Sequence, residues 1–206
     1  MKLALVLMTY SLFMLHEIRA ETYTGETSLE EKVLKDANFM GPTQLKEVIA
    51  ESLSVMGPFE FSNVMVEKNT TIEGPVLNSE NGKFDSLNIK GPFTAKNIIC
   101  KTFKVIGPVD VTHLKVEGDT SIMGSLKANQ SQFENMSISA DEIFLKDVDV
   151  KDIFIKKNMD KKQVLQLKGK TLVKGNIAFE SGQGIVELDS AAKVQGEIKG
   201  ARVEKK

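Results

Sequence analysis

The chain has 206 residues with 27 basic and 28 acidic side chains, two histidines, one cysteine and no tryptophan. A net charge near −1 argues against an electrostatically driven nucleic-acid partner. One histidine beyond the first 20 residues, with one cysteine, is too small a ligand set for a standard zinc site, and a lone cysteine excludes an internal disulfide.

In chain order, residues 1–20 read as a secretory signal peptide. Lys2 is a short positive region, Leu3 to Leu15 an apolar stretch, and Ile18-Arg19-Ala20 ends it on a small residue at the cleavage point. The apolar stretch is short of the roughly 20 residues that span a membrane. No second long apolar run follows, so the expected product is exported, periplasmic or secreted, with no membrane span after cleavage. It would carry 25 basic and 27 acidic residues in a single domain, 21–206.

Five prolines occur, each directly after a glycine: Gly41-Pro42, Gly57-Pro58, Gly74-Pro75, Gly91-Pro92 and Gly107-Pro108, spaced 16, 17, 17 and 16 residues apart. Turn residues at a fixed interval mark a repeat architecture. Aligning Gly25 with Gly41 matches Thr27 to Thr43, Leu29 to Leu45, Val33 to Ile49, Ala37 to Leu53 and Phe39 to Val55. The series thus extends back to Gly25, where Glu26 replaces proline, and on to Gly124, where Ser125 does. Ser28-Leu-Glu-Glu31 also reads as a helix capping box, and a short capping helix is the alternative at that point.

Within each coil apolar residues form short alternating pairs, the period-two signal of strands with one inward side chain in two. The coil from Gly91 shows Phe93 and Ala95, Ile98 and Cys100, then Phe103 and Val105; the coil from Gly107 shows Val109 and Val111, Leu114 and Val116, then Thr120 and Ile122. The coil from Gly124 shows Leu126 and Ala128, Phe133, then Met136 and Ile138. Regular coils span 25–139 and degenerate ones about 140–200. There Ile143, Leu145, Val148, Val150, Ile153 and Ile155 alternate, and Leu165, Leu167, Leu172, Ile177, Phe179, Val186 and Leu188 resume. Asn158 to Lys162 is expected as a loop, Ser181 to Gly184 as an extended turn, and Gly196 to Lys206 as a polar cap or frayed end.

The expected fold is all-β: a single-stranded β-solenoid, or β-helix, with triangular coils of 16–17 residues and three short strands per coil. At one corner, glycine permits an unusual backbone angle and proline fixes the next. At about 4.8 Å per coil, ten or so coils give a rod of roughly 50 Å. Triangular coils of this length with Gly-spaced apolar pairs resemble the bactofilins, polymer-forming bacterial β-helix proteins, over about residues 25–200. The resemblance implies a non-enzymatic structural role; the signal peptide and the Gly-Pro corner depart from that family. Hexapeptide-repeat acyltransferases, with 18-residue coils, fit less well.

Candidate chemistry is sparse. His113 sits at an expected surface corner, although a solenoid acyltransferase would use a histidine as base. Cys100 shares a coil position with Val66, Val116 and Phe133 and reads as buried, with an intermolecular disulfide as the alternative. Asp141, Glu142, Asp147, Asp149 and Asp152 offer oxygen ligands but interleave with lysines and read as a solvated face. Sequons at Asn69, Asn129 and Asn135 matter only in a eukaryotic secretory pathway. No phosphate loop and no aromatic-basic surface occurs, so no catalytic, cofactor or metal residues are assigned. The residues singled out are the corners: Gly25, Gly41, Pro42, Gly57, Pro58, Gly74, Pro75, Gly91, Pro92, Gly107, Pro108 and Gly124. The expected role is structural or interactive, with a protein partner: another copy, or an envelope or surface protein. A secreted factor or adhesin-like module is the alternative, and a solenoid enzyme a second one.

Overall fold

The computed structural model describes residues 20–158 and 162–205. The expected signal peptide, apart from Ala20, lies outside the described residues, as does the middle of the Asn158–Lys162 loop. No helix among the described residues is long and apolar enough to cross a membrane. The described residues form twenty strands, all paired in parallel, in a β-solenoid of about 11 turns.

Each turn has three faces. Position by position, the first face runs Leu29, Leu45, Phe61 in successive coils, and later Val111, Ala128, Leu145 and Leu167. The second runs Val66, Phe84, Cys100, Val116, Phe133, Val150, Val173. The third runs Phe39, Val55, Ile72, Ile89, Val105, Ile122, Ile138, Ile155, Phe179. All of these are buried except Leu29 in the first coil, so one apolar core threads the rod. A lone coil would leave both edges of each strand unpaired and its inward side chains wet; stacking removes both costs.

The expected register holds: Thr27 pairs Thr43, Leu29 pairs Leu45, Val33 pairs Ile49, Ala37 pairs Leu53 and Phe39 pairs Val55. Ser28 to Glu31 is strand and corner, not helix, because its alternating side chains are claimed by the coil above. The stack starts one face before Gly25, at the strand Glu21–Thr24, which pairs with Ala37–Met40. The chain end is also a strand: Ala201–Lys205 pairs with Gly184–Leu188 rather than fraying.

The glycine corner is a close backbone contact. From Gly41 to Gly124 the corner glycines have φ between 131° and 153°, and a Cβ there would lie 2.2–2.6 Å from the carbonyl oxygen of the preceding corner glycine. From Gly41 to Gly107 each of these N–H groups donates to the residue before the next corner glycine, as Gly41 does to Met56 at 2.9 Å, and Gly124 donates to Ser139. The ladder then steps past the proline position: Thr43 N–H donates to Pro58 O and Phe93 N–H to Pro108 O, both at 2.9 Å. Proline fits there because the ladder needs its carbonyl and not an N–H.

After Gly124 the mark disappears for a structural reason. Leu126 pairs Ile143, and the extra residue of that coil falls in this corner, where Ala140 turns inward and is buried. Beyond it the coils lengthen, with Ile143 pairing Leu165 and Leu165 pairing Val186. Among the described residues the coils depart from the regular length between the strands ending at Ile155 and starting at Val164, at Lys168–Thr171 and at Glu180–Gln183, and the core columns continue across them. Leu172, expected inward, is only half-buried. Thr171 fills the inward position and Val173 the next, because the turn at Gly169 (φ 59°) shifts the alternation by one.

Several core positions break the apolar rule. Gly82 stacks between Val64 and Ile98, where a Cβ would meet Phe84 at 2.4 Å and Phe61 at 2.8 Å. The space goes to those two rings, packed edge-on at 5.4 Å. Ser131 Oγ accepts from Leu114 N–H at 3.0 Å and donates to Asn129 O at 2.7 Å, taking the ladder's place. Thr70 and Thr120 lie buried in one column with Leu53, Leu87, Phe103 and Met136, and their hydroxyls have no partner.

Replacing Gly74 by alanine should cost more than about 2–3 kcal/mol, combining dihedral strain with the clash on Gly57 O. Gly25→Ala, which meets nothing within 4 Å, should cost only about 1 kcal/mol. Urea unfolding of the two variants checks the contrast, and equal losses would refute the backbone-contact reading. Thr120→Val exchanges an unpaired buried hydroxyl for a methyl of similar size. Stability should rise by about 1 kcal/mol, or about 2–4 °C in Tm, by thermal unfolding.

Candidate functional site

The single histidine of the solenoid is explained by backbone geometry. His113 is exposed, with φ 57°. It belongs to the corner after the first face, where Glu31, Glu47, Asn63, Asn81, Asn97, Gln130 and Asp147 stand in the same left-handed conformation, φ 46–57°. Asparagine, aspartate and histidine tolerate that region best among non-glycine residues. Here the tolerance is reinforced by side-chain contact between coils, Asn97 Nδ2 donating to Asn81 Oδ1 at 3.0 Å.

Cys100 is fully buried in the second-face column and is a free thiol. Burial, with a smaller contribution from Glu117, pushes its pKa up to about 12. A buried, protonated sulfur is a poor nucleophile and a poor partner for an intermolecular disulfide.

The acidic segment 141–152 does not converge. Asp147 Oδ1 accepts from Lys170 N–H at 2.8 Å and Asp152 Oδ1 from Asn176 N–H at 2.8 Å. Asp141 Oδ1 accepts from Asn158 Nδ2 at 2.7 Å, and Asp149 stands 3.8 Å from Lys174 Nζ. Asp147 and Asp152 reach forward to backbone N–H groups of the next coil, while Asp141 and Asp149 meet side chains there. Among the described residues no group of three or more His, Cys, Asp or Glu side chains could hold a metal ion.

Two shallow grooves run along the faces. One, of about 630 Å³, follows the outward column Thr94, Asp110, Lys127, Phe144, Gln166 and Glu187, rimmed by Pro92 and Pro108. Its lysine is engaged with Asp110 at 3.0 Å, and its one aromatic ring is Phe144. The other, of about 450 Å³, lies on the third face between Ser121, Asn135, Ser137 and Phe154. Of the sequons, Asn69 and Asn135 are exposed and Asn129 is half-buried; Asn135 donates to Asp119 at 3.3 Å.

The feature that sequence reasoning missed is the residue before each corner glycine. It is the last outward position of the third face, and the register stacks Thr24, Met40, Met56, Glu73, Lys90, Ile106, Met123 and Ser139 in one line. Met40, Met56, Ile106 and Met123 are 44–56% exposed. Glu73 and Lys90, between the two apolar pairs, form an ion pair at 2.6 Å. Beside this rim Pro42, Pro58, Pro92 and Pro108 are also exposed, and the next outward column of the third face is built of short polar side chains, Asn38, Ser54, Thr71, Asn88, Ser121 and Ser137, with one lysine, Lys104. Short side chains there let another surface approach. The signal was present in the sequence as an apolar residue directly preceding the glycine in four of the seven marked corners.

No protein-family model, no curated protein and no solved structure matches this chain.

Cys100 should resist thiol reagents in the folded protein at pH 8 and react at once in denaturant, read by thiol titration. The sign of its pH dependence follows from the raised pKa. The folded thiol keeps its proton while the unfolded one, with an ordinary value near 9, loses it. Its contribution is intact below pH 9 and declines as pH rises toward 12, so Cys100→Val should gain on the natural chain over that range.

Proposed function

We propose that this chain is an exported, non-enzymatic interaction protein whose rigid solenoid presents a linear rim to a protein partner, with self-association as the first form of that partnership. The observation that carries this reading is the rim of Met40, Met56, Ile106 and Met123, held in register and left exposed beside the glycine corner. Aligned apolar side chains on a rigid rod mark an interaction surface, because the rod's own core is already complete without them. The export half of the reading rests on residues 1–20 alone.

Three observations are consistent with a structural rather than a catalytic role. His113 serves a corner, Cys100 is buried, and Asp147 and Asp152 clamp turns of the following coil. The coil geometry is of the kind bactofilins use, and a bactofilin-like role in ordered assemblies is the form of the proposal that this likeness favours.

The test is sedimentation velocity across a wide concentration range, with electron microscopy of the most concentrated sample. The expected result is association that deepens with concentration and weakens when Met56 and Met123 are both replaced by lysine, with thermal unfolding unchanged. A strict monomer at several hundred micromolar would reject self-association. A rim whose double replacement changes no binding at all would reject the interaction surface.

A further inference from the structure

We infer that the rim pairs antiparallel with the same rim of a second copy, about a two-fold axis between the coils of Glu73 and Lys90. The inference rests on the rim being a docking surface and adds what docks there. Read along the rod, the rim is Met40, Met56, Glu73, Lys90, Ile106, Met123. That order is complementary to its own reverse: two apolar, one acidic, one basic, two apolar.

A two-fold axis at its centre sets each residue against its complement. Glu73 faces Lys90 of the other copy, and Lys90 faces the other Glu73. Met56 faces Ile106, and Met40 faces Met123. Isologous interfaces require this self-complementarity. The parallel alternative sets Glu73 on Glu73 and Lys90 on Lys90, so like charges oppose it. The short polar column beside the rim allows close approach, and the flanking positions are the small residues Thr24 and Ser139.

Six coils at about 4.8 Å give a contact about 24 Å long. A ridge-on-ridge contact of that length falls below the roughly 1,200 Å² of a stable standard interface. The dimer is therefore weak, with a Kd above about 1 μM. Weak lateral pairing suits rods that assemble in an order set by their surroundings.

The experiment uses the full chain with Met40→Cys and Met123→Cys introduced together, oxidised and mapped by mass spectrometry. Cross-links joining position 40 of one chain to position 123 of another are expected, with 40-to-40 links absent. In parallel, Glu73→Lys and Lys90→Glu are each expected to weaken association at least about tenfold by sedimentation equilibrium. The double exchange should restore it to within about twofold, because both cross-copy pairs re-form in the reversed sense. Thermal unfolding of each variant establishes that the fold is intact. Predominant 40-to-40 links overturn the antiparallel arrangement. Association that survives every rim variant overturns the rim as the contact while leaving an interaction role elsewhere on the rod. A natural chain that stays monomeric at several hundred micromolar overturns pairing between copies. Rim-dependent binding of a different protein would then still support the docking surface, so the two claims fail separately.

Discussion

The rod depends on backbone touching backbone at one corner. Each corner glycine from Gly41 to Gly124 rests against the carbonyl of the corner glycine before it, at a distance where no Cβ fits. That contact fixes where each coil turns, and the turn fixes which side chains face inward for the next 16 or 17 residues. Because the period of a strand is two, an error of one residue at the corner would reverse the whole coil. Glycine at the corner is thus a register device, and proline after it stiffens a position from which the ladder asks no N–H. At the corner after Gly124 the coil gains a residue, Ala140 and Asp141 stand where the glycine would be, and Ala140 turns inward.

The second corner is solved differently. Eight non-glycine residues hold a left-handed conformation there, a strain of the order of 1–2 kcal/mol each in isolation. Stacking over-determines them: the ladder on either side and pairs such as Asn97 with Asn81 leave no alternative backbone path. The long C-terminal coils use a third solution, in which Asp147 and Asp152 accept the backbone N–H groups that begin the turns of the following coil. Charge that looked like a solvated face is the means by which irregular coils are tied to regular ones.

Coil length, the glycine corner and most inward positions were legible in the sequence because they repeat, and a repeat multiplies a weak local signal. Phe93, Ile98, Phe103, Val109, Leu114 and Ile122 were all placed correctly by alternation. What was not legible is compensation between neighbouring coils. Gly82 is a core position without a side chain, its space taken by Phe61 and Phe84 from two coils. Ser131 and Thr171 replace ladder bonds inside the rod, which an apolar alternation does not mark. Leu172 and Val173 exchange roles because an inserted turn shifts the alternation. The rim escaped for a related reason: its residues are defined by what stacks on them, and one coil in isolation shows only a methionine before a glycine.

The core fixes the outward direction of the rim but not its chemistry, so that position is free to carry a partner's code. Its order is meaningful only if the corner is as rigid as the glycine contact requires. Amide hydrogen exchange, followed residue by residue by NMR, reads this directly. The N–H groups of Gly57, Gly74, Gly91 and Gly107 should exchange as slowly as those of Val105 and Ile122 in the core strands. Corner glycines that exchange as fast as Gly182 in its exposed turn, while the strands stay protected, would contradict it: the corners would then be loose links between strands, not the contact that holds them in register.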